Sequence, residues 1–492
     1  MGFLLGGLGA GGGFAAAGEL LAEPREGRQD LAAGEWRLAA GGEHARGFCG
    51  VLERRPGGAV AIYGDRLGPD GALSVALDAD QLIAWCSRGF ARFAGALCTA
   101  DRLVLWTDED ATCPLFYSFD AAGDPVFASE AKALLLLRGG GLAAFADELA
   151  GGDGERPLPP IGGSSFARIA AVPPASRVSF RRTGAGWRID GVERYLPPVP
   201  EPTVIDADTA TDAVAAGLEE AVARLVAGLD EVHVTLSGGV DSSAVAALAR
   251  PRVDRMLSYT VGTRFGDEFE QAEEVARWLG TEHRTLMMTS QDLEDLLPDL
   301  LWQLETWDPL TLQIAAPVAF LYRRLAVSGV FLTGYGADLI FAGAVDTRLG
   351  ETELERLIRH QVELTVPTNE MAPAFARRAG AVVRYPYWLP EVKRTGLGIR
   401  ARLKVADGEV KVVLRKAVER FLPRHVAWRT KQGIHQGSSM GEMFREVLGT
   451  GDGAEQARWL RRLFAETVTE RLSRSGAADD VVVEAHYSED AR

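Results

Sequence analysis

The chain has 492 residues, of which 47% are hydrophobic, and it carries a formal net charge of −15. This length exceeds what one compact core usually holds, so two or three domains are expected. The acidic excess and the lack of a long basic run argue against a nucleic-acid partner. A polyanionic ligand would therefore depend on local features of the fold and on a metal ion.

The N-terminal quarter of the sequence indicates the cellular compartment of the protein. Met1–Ala17 is rich in Gly and Ala, lacks the basic region of a signal peptide and is too short to span a membrane. The four cysteines form no CxxC pair and no zinc-binding spacing, which is typical of buried thiols in a reducing compartment. They are Cys49, Cys86, Cys98 and Cys113. We therefore expect a cytoplasmic protein with no membrane partner.

Up to about Tyr195, short apolar runs alternate with turn residues. This pattern predicts a layered, strand-rich domain with a few helices, one of them over Lys132–Leu137. The apolar runs are Ala59–Tyr63, Leu73–Leu77, Leu103–Thr107 and Leu115–Phe119. The prolines of Tyr195–Pro202 cannot sit together in a helix or a central strand. We place the domain boundary there, with one domain over residues 1–197 and the other over 205–492.

After Asp206, strands alternate with helices. The predicted strands are Val232–Leu236, Met256–Val261, Thr285–Met288 and Val330–Thr333. The predicted helices are Ala210–Leu225, Phe269–Leu279, Asp292–Trp307, Ala315–Leu325 and Val410–Leu422. This alternation predicts an α/β domain with a doubly wound parallel sheet. Ligands of such sheets bind at the carboxyl ends of the strands.

A glycine-containing loop follows the first of these strands and leads into a helical pattern. Gly238 and Gly239 let the backbone approach an anion, and the helix N-terminus directs N–H groups towards it. The loop is not a Walker A motif, which needs a Lys before its Ser or Thr. Its pattern, Ser-Gly-Gly-x-Asp-Ser, resembles the PP-loop of enzymes that split ATP between the α and β phosphates. The expected nucleotide-binding residues here are Ser237, Gly238, Gly239, Asp241 and Ser242, and Asp241 is also an expected Mg²⁺ ligand.

The fourth predicted strand ends close to a second acid, Asp338. It should reach the same edge of the sheet as Asp241, and two carboxylates there suit Mg²⁺ on a triphosphate. A helix N-cap is the alternative role for Asp338. Two glycines flank Tyr335 and would present its ring at the mouth of the pocket. The adenosine site would be lined by Leu236, Val261 and Gly334.

The N-terminal region resembles the class II glutamine amidotransferase domain that is fused to asparagine synthetase. The segments that carry the resemblance are Arg92–Leu97, Trp106–Asp108, Pro114–Tyr117 and Phe127–Lys132. The resemblance implies a layered αββα fold of the Ntn type. Those amidotransferases use a Cys at the mature N-terminus, whereas Gly2 follows Met1 here. We therefore expect a degenerate domain that does not hydrolyse glutamine and serves as a scaffold.

The C-terminal region resembles the β-lactam synthetase and carbapenam synthetase group of asparagine synthetase-like enzymes. The segment Gly334–Asp338 contains a Tyr and is not followed by the acid found in asparagine synthetase. Four further segments agree in order, namely Asp267–Phe269, Asn369–Pro373, Lys411–Arg415 and Trp428–Ser439. The resemblance implies that the catalytic residues are Tyr335, Glu370 and Lys431. It also implies that Lys411 lines the nucleotide site, although Lys411 could instead reach solvent.

These residue types suit the expected chemistry. An amine that attacks an acyl-adenylate must first lose a proton, and Tyr335 backed by Glu370 could remove it. Lys431 could stabilise the oxyanion and the departing phosphate. The alternatives are a structural ring for Tyr335, a surface acid for Glu370 and a solvated side chain for Lys431.

The sequence thus predicts an ATP- and Mg²⁺-dependent ligase of antibiotic biosynthesis. It would adenylate a β-amino acid and close a β-lactam of carbapenam or monocyclic type, releasing AMP and pyrophosphate. Gln361 stands where β-lactam synthetase has an acid that reads a guanidinium, so an arginine-derived substrate is in doubt. The alternatives are another ATP-dependent amide ligase or macrocyclase, and a non-catalytic ATP-binding regulator. A homodimer and a tetramer both remain open.

Overall fold

The apolar runs of the sequence form three sheets in a computed structural model of the chain. The described residues are 3–8, 12–21, 28–41, 48–67, 73, 76, 78–138, 158–199, 201–325, 328–372, 376, 380–429 and 438–474. Gly2, Lys431 and most of the predicted strand Leu73–Leu77 lie outside these residues.

Two of the sheets are antiparallel and come from residues 3–194. Their strands are β1 (Phe3–Leu8), β2 (Arg28–Ala33), β3 (Trp36–Gly41), β4 (Phe48–Arg55), β5 (Gly58–Arg66), β6 (Phe90–Thr99), β7 (Arg102–Thr107), β8 (Phe116–Phe119), β9 (Pro125–Ala128), β10 (Ala170–Ala171), β11 (Ser176–Thr183) and β12 (Gly186–Arg194). One six-stranded sheet has the order β10-β8-β9-β1-β3-β2, and the other has the order β12-β11-β7-β6-β5-β4. The glycine-rich start, for which no element was predicted, supplies the buried strand β1.

The two antiparallel sheets pack face to face, with helices on their outer sides. Leu5 and Phe127 of one sheet share a core with Tyr63 and Leu105 of the other. Helices α1 (Gly12–Leu21) and α3 (Ala131–Leu137) pack against the first sheet, and α2 (Ala79–Gly89) packs against the second. The predicted layering of helices and strands is therefore observed among the described residues, and α3 confirms the predicted helix Lys132–Leu137.

The third sheet is parallel, as predicted. Its strands are β13 (Glu231–Thr235), β14 (Arg255–Thr263), β15 (Glu282–Met288), β16 (Gly329–Leu332) and β17 (Ala381–Arg384). The order is β15-β14-β13-β16-β17, and every neighbouring pair runs parallel. All four predicted strands are present, whereas β17 was not predicted. The chain winds outwards in both directions from the β13–β16 pair, which makes this pair the switch point where ligands bind in such folds.

Helices cover the parallel sheet and continue to the end of the described chain. They are α4 (Ala207–Val226), α5 (Val240–Ala249), α6 (Phe269–Leu279), α7 (Ser290–Leu304), α8 (Pro309–Leu325), α9 (Ala337–Ile340), α10 (Glu351–Leu364), α11 (Pro390–Gly398), α12 (Ala401–Lys404), α13 (Val412–Val418), α14 (Arg424–Ala427), α15 (Met440–Leu448) and α16 (Gly453–Arg474).

Several predicted helix boundaries are wrong: α8 begins at Pro309 rather than Ala315, and α4 begins at Ala207 rather than Ala210. Two other errors have a local reason. Helix α7 ends at Leu304 rather than Trp307, because Glu305 adopts the left-handed conformation with φ 53°. Helix α13 begins only after Lys411, because Lys411 is also left-handed, with φ 57°, and it ends at Val418 rather than at the predicted Leu422. Lys411 belongs to the candidate active site described below, and Glu305 belongs to the contacts that support it.

Buried ion pairs join the antiparallel sheets to the parallel sheet. The guanidinium of Arg384, at the end of β17, makes two hydrogen bonds of 3.0 and 2.9 Å to the carboxylate of Asp65 on β5. These side chains are 5% and 1% exposed. Burying two charges is compensated only by good geometry, so this pair constrains how the two halves meet. Within the described residues, further pairs between the two halves are Lys132 with Glu305, and Lys393 with Glu109 and Asp110.

Two further observations concern expectations from the sequence. None of the described helices is both long and apolar enough to cross a bilayer. The thiols of Cys86, Cys98 and Cys113 are buried within the N-terminal half of the chain.

Asp65→Ala should lower the free energy of unfolding by about 3–5 kcal/mol, because the Arg384 guanidinium would stay buried without its counter-charge. Urea unfolding followed by circular dichroism measures this change. The control is Arg394→Gln, which removes a half-exposed pair between Arg394 and Glu109 and should cost below about 1 kcal/mol. Equal losses in the two variants would contradict the special role of the buried pair.

Candidate active site

The loop after β13, here called the phosphate loop for the ligand that the sequence predicts, lies at the switch point of the parallel sheet. Gly238 has φ 74°, and a Cβ added there would lie 2.4 Å from the carbonyl carbon of Gln271, so only glycine fits. Within the loop, the Ser237 N–H donates to the Ser242 hydroxyl at 3.1 Å. Gly239 is the N-cap of the ten-residue helix α5 and supplies no side-chain cap. The backbone N–H groups at this helix end are therefore oriented as an anion site requires.

Arg429 fixes the loop from outside, a contact that the sequence analysis did not predict. Its Nη1 donates to the carbonyl oxygens of Gly238 and Gln271 at 2.9 and 3.3 Å. Glu274 pairs with the same guanidinium. Arg429 thus joins the phosphate loop to α6. The segment 428–439 had been noted for its Lys, and nothing in it singled out Arg429.

The two predicted metal ligands do lie together, with Lys411 between them. The Lys411 Nζ is 2.5 Å from Asp241 Oδ2 and 2.7 Å from Asp338 Oδ1. The Lys411 side chain is fully buried. Burial lowers the pKa of Lys411, and the neighbouring Asp241 carboxylate opposes this decrease. The alternative in which Lys411 reaches solvent is therefore wrong.

Glycines allow this close approach of three charged side chains. A Cβ on Gly343 would lie 1.9 Å from Asp338 Oδ1 and 2.2 Å from the Lys411 Cε, both impossible distances. A Cβ on Gly334 would lie 2.7 Å from the backbone nitrogen of Ser242. Gly334, predicted to line the adenosine site, therefore also brings the turn after β16 against the phosphate loop.

The donor set is compatible with a magnesium ion. No group of three or more His, Cys, Asp or Glu side chains converges on a metal-sized space among the described residues. Mg²⁺, however, commonly takes only one or two protein carboxylates and completes its octahedron with phosphate oxygens and water. Asp241 and Asp338 supply two such carboxylates beside the loop.

Tyr335 and Glu370 also lie together, as the dyad prediction requires. The Tyr335 ring packs edge-on against Tyr385 and Trp388, at 5.9 and 6.1 Å between centroids. The buried Glu370 carboxylate lies beside its hydroxyl, where each group acts on the pKa of the other. Glu370 is 8% exposed, so the alternative of a surface acid is wrong.

The surroundings of this pair set its protonation near neutral pH. Burial raises the pKa of Glu370 to about 7, the hydroxyl of Tyr335 opposes the increase, and the charge of Asp308 adds to it. Burial, followed by the charge of Glu370, raises the pKa of Tyr335 well above its usual value of 10. At pH 7 the phenol is therefore neutral, while the carboxyl group is divided between its two forms. A pair of this kind can accept a proton.

The remaining predicted site residues are placed less simply. The Leu236 side chain is 1% exposed and belongs to the core beneath the loop. Val261 is half-buried near the carboxyl end of β14. Gln361 donates from Nε2 to the carbonyl oxygen of Ala344 at 3.1 Å. Lys431 lies outside the described residues.

A glycine loop, a helix N-terminus and two carboxylates at the switch point of a parallel sheet define an α/β protein suited to a phosphate-bearing ligand. Residues 213–374 and 354–491 match the asparagine synthase family. The chain belongs to this family.

Two curated relatives make the resemblance more specific. The carboxyethyl-arginine beta-lactam-synthase of Streptomyces clavuligerus is 32% identical over 361 residues, which are 73% of this chain and 66% of that protein. The glutamine-hydrolyzing asparagine synthetase B of Escherichia coli (strain K12) is 26% identical over 259 residues, or 48% of this chain and 46% of that protein. The chain thus spans from about half to just under two thirds of these relatives. The predicted relationship to β-lactam and asparagine synthetases is confirmed.

Among solved structures, the NH3-dependent NAD synthetase from Campylobacter jejuni subsp. jejuni NCTC 11168 is 18% identical. The match covers 32% of this chain and 74% of that one, with a TM-score of 0.20. The fold described above is argued from the strand order and register of this chain alone.

Gly343→Ala should destabilise the protein by about 1–3 kcal/mol, because the new methyl group would overlap Asp338 and Lys411. The control is Gly217→Ala in the interior of α4, where an added Cβ meets nothing within 4 Å. That change should stabilise the helix by roughly 0.5–1 kcal/mol. Chemical unfolding of both variants gives the comparison. A Gly343→Ala protein as stable as the unsubstituted chain would show that the three charged groups are not held this tightly.

Proposed function

We propose that the chain is an ATP-dependent ligase that activates a β-amino acid at its carboxylate and closes a β-lactam, releasing AMP and pyrophosphate. The observation that carries this proposal is the pair formed by the partly buried Tyr335 and the buried Glu370, beside the phosphate loop. Gly334, which packs against the loop backbone at Ser242, directly precedes Tyr335. A proton acceptor and a phosphate site thus share one edge of the sheet.

In the first step, a substrate carboxylate oxygen would attack the α phosphorus of ATP. A phosphorus–oxygen bond forms, the bond between the α and β phosphates breaks, and pyrophosphate leaves. The loop from Ser237 to Ser242 and the N-terminus of α5 would bind the phosphates through backbone N–H groups. Asp241 and Asp338 would hold a magnesium ion, which offsets the phosphate charge when bound. The Lys411 ammonium keeps these two carboxylates from repelling each other.

In the second step, the substrate amine would attack the acyl carbon and AMP would leave. An ammonium has no lone pair, so its extra proton must first be removed. The phenol of Tyr335 would take this proton as it passes its own to Glu370, a carboxylate whose raised pKa suits a base at neutral pH. Lys431 would stabilise the oxyanion of the tetrahedral intermediate.

The four-membered ring is strained, so the leaving AMP must supply the driving force and the site must supply proximity. Both reacting groups belong to one molecule, and holding them at close range lowers the barrier further. A site that positions the amine against the acyl carbon is therefore worth more here than an additional acid or base.

We further propose that residues 1–197 are a degenerate Ntn-type domain and that residues 205–492 are the synthetase domain. The helix–sheet–sheet–helix layering and the buried ion pairs with the parallel sheet support a scaffold role for the first domain. The cytoplasm remains the expected compartment, since the buried thiols suit a reducing environment.

The substrate proposal favours a β-amino acid without a guanidinium, including one whose amine lies in a pyrrolidine ring and would close to a carbapenam. The relative in Streptomyces clavuligerus is named for carboxyethyl-arginine. At the position compared with its guanidinium-reading acid, this chain has the neutral Gln361, whose amide is bonded to the backbone. Intermolecular amide ligation or macrocycle closure by the same adenylation is the second candidate.

The purified chain should release pyrophosphate when it receives ATP, Mg²⁺ and a suitable β-amino acid. The panel comprises carboxyethyl-arginine, a pyrrolidin-2-yl acetic acid and an N-alkyl β-alanine. Mass spectrometry should show a product equal to one substrate minus one water. The α,β-methylene analogue of ATP, in which the scissile bond is replaced, should give no product. Joined substrate molecules would favour the second candidate, and ADP with phosphate would exclude adenylation.

The rate of the amide-forming step should fall as the pH decreases below about 7, because protonation of Glu370 removes the acceptor for the Tyr335 proton. Glu370→Gln should abolish this acidic limb and, like Tyr335→Phe, slow the step by about 10²–10⁴-fold. The measurement is single-turnover kinetics from pH 5.5 to 9, each rate compared with ATP–pyrophosphate exchange in the same buffer. An acidic limb that persists in Glu370→Gln would assign the titration to another group.

A further inference from the structure

Arg92 crosses from the antiparallel sheets into the synthetase half of the chain. It lies on β6 and is 5% exposed. Its Nη2 donates to the carbonyl oxygen of Val383 at 2.9 Å, and its Nη1 donates to the carbonyl oxygen of Met371. Its guanidinium carbon is 5.4 Å from the centre of the Tyr385 ring. One side chain thus reaches three places in the other half of the molecule.

All three contacts border the Tyr335–Glu370 pair. Met371 follows Glu370 in the chain, so the bond to its carbonyl oxygen fixes the peptide next to the carboxylate. Tyr385 packs edge-on against the Tyr335 ring at 5.9 Å. The contact at Val383 lies on β17 and holds the strand from which Tyr385 emerges. Arg92 therefore determines where both members of the pair stand without touching the reacting atoms.

A second connection from the N-terminal half reaches the other side of Glu370. Asn369 is left-handed, with φ 56°, and its amide donates to the carbonyl oxygen of Leu304 at 2.9 Å. Glu305 directly follows Leu304, and its carboxylate accepts hydrogen bonds from the backbone N–H groups of Ala131 and Lys132 at 2.9 and 2.7 Å. Glu305 therefore caps α3, whose own N-cap residue makes no side-chain cap.

The chemistry of the guanidinium explains why an arginine is needed at this position. Its planar fork places two donors in fixed directions, whereas an ammonium is a single point with flexible geometry. Removal of the fork would leave two buried carbonyl oxygens without these donors and let the peptide at residues 370 and 371 shift. A displacement of about 1 Å in a reacting group can cost about 100-fold in rate.

We propose that Arg92 is a positioning residue for the amide-forming step, through which the N-terminal domain holds the Tyr335–Glu370 pair against the bound adenylate. The inference rests on the proposed function and gives the N-terminal domain a part in that reaction. None of the contacts described above is with the phosphate loop. Adenylation should therefore proceed without Arg92, whereas closure of the amide should depend on it.

The test compares Arg92→Met and Arg92→Lys with the unsubstituted chain, using the panel member that it cyclises fastest. Arg92→Met should slow single-turnover amide formation by about 10- to 100-fold, with ATP–pyrophosphate exchange and the KM for ATP changed less than about twofold. The rate of amide formation in Arg92→Lys should lie between the rates of Arg92→Met and the unsubstituted chain. Arg394→Gln, which removes the interface pair with Glu109 and leaves the bonds to Met371 and Val383 in place, should change neither step. The proposal would be overturned if Arg92→Met slowed adenylation and amide formation equally, or if it slowed neither step.

A second variant covers the case in which Arg92→Met does not fold. Asn369→Gly keeps the left-handed backbone available and removes the bond to Leu304, so it should show the same separation of the two steps. A fall in adenylation as large as the fall in amide formation would count against the proposal.

Hydrogen exchange separates this inference from the proposed function. The amides of residues 368–372 should exchange faster in Arg92→Lys than in Arg394→Gln, and equal protection would overturn the positioning role. If the unsubstituted chain releases no pyrophosphate with any panel member, the proposed function fails. The exchange result then still decides whether Arg92 holds this segment.

Discussion

The ammonium of Lys411, held between Asp241 and Asp338, is the contact on which the site depends. The two carboxylates follow neighbouring strands of the parallel sheet and would repel each other in a buried place without a cation. Lys411 is itself left-handed and directly precedes α13, so the helix start, the phosphate loop and the turn after β16 are fixed by one charge. The glycines at 334 and 343 follow from this, because any side chain there would force the three groups apart.

The geometry separates two tasks at one edge of the sheet. The charges around Asp241 are arranged for a polyanion, and they belong entirely to the parallel-sheet half. The phenol of Tyr335 and the carboxyl group of Glu370, to which we assign the proton transfer, are supported from the other half through Arg92 and through the Glu305 cap on α3. The antiparallel sheets thus have a structural role at this pocket, since the contacts of Arg92 support a wall that the parallel-sheet half does not complete alone.

Local patterns in the sequence were enough to predict the parallel sheet, the phosphate loop and the meeting of Asp241 with Asp338. Strand periodicity and chain order carry that information, because carboxyl ends of parallel strands share one edge. Strand β17 was not predicted because it has only four residues and ends in Arg384. The burial of Arg384 depends on Asp65, which is far away in the chain. The end of α7 and the start of α13 were predicted wrongly, because left-handed residues other than glycine leave no signal in the composition. The roles of Arg92 and Arg429 rest on contacts to backbone carbonyls, which no motif encodes.

The position of Glu305 limits how the two halves of the chain can be combined with halves of related proteins. The Glu305 carboxylate, presented by a left-handed backbone at the end of α7, completes a helix that belongs to the other half of the molecule. A chimera that grafts residues 1–197 onto a different synthetase would inherit α3 but lose the acceptor for its first amides. Compatibility between donor and recipient should therefore be judged at that acidic residue, before overall similarity of the two partners is considered.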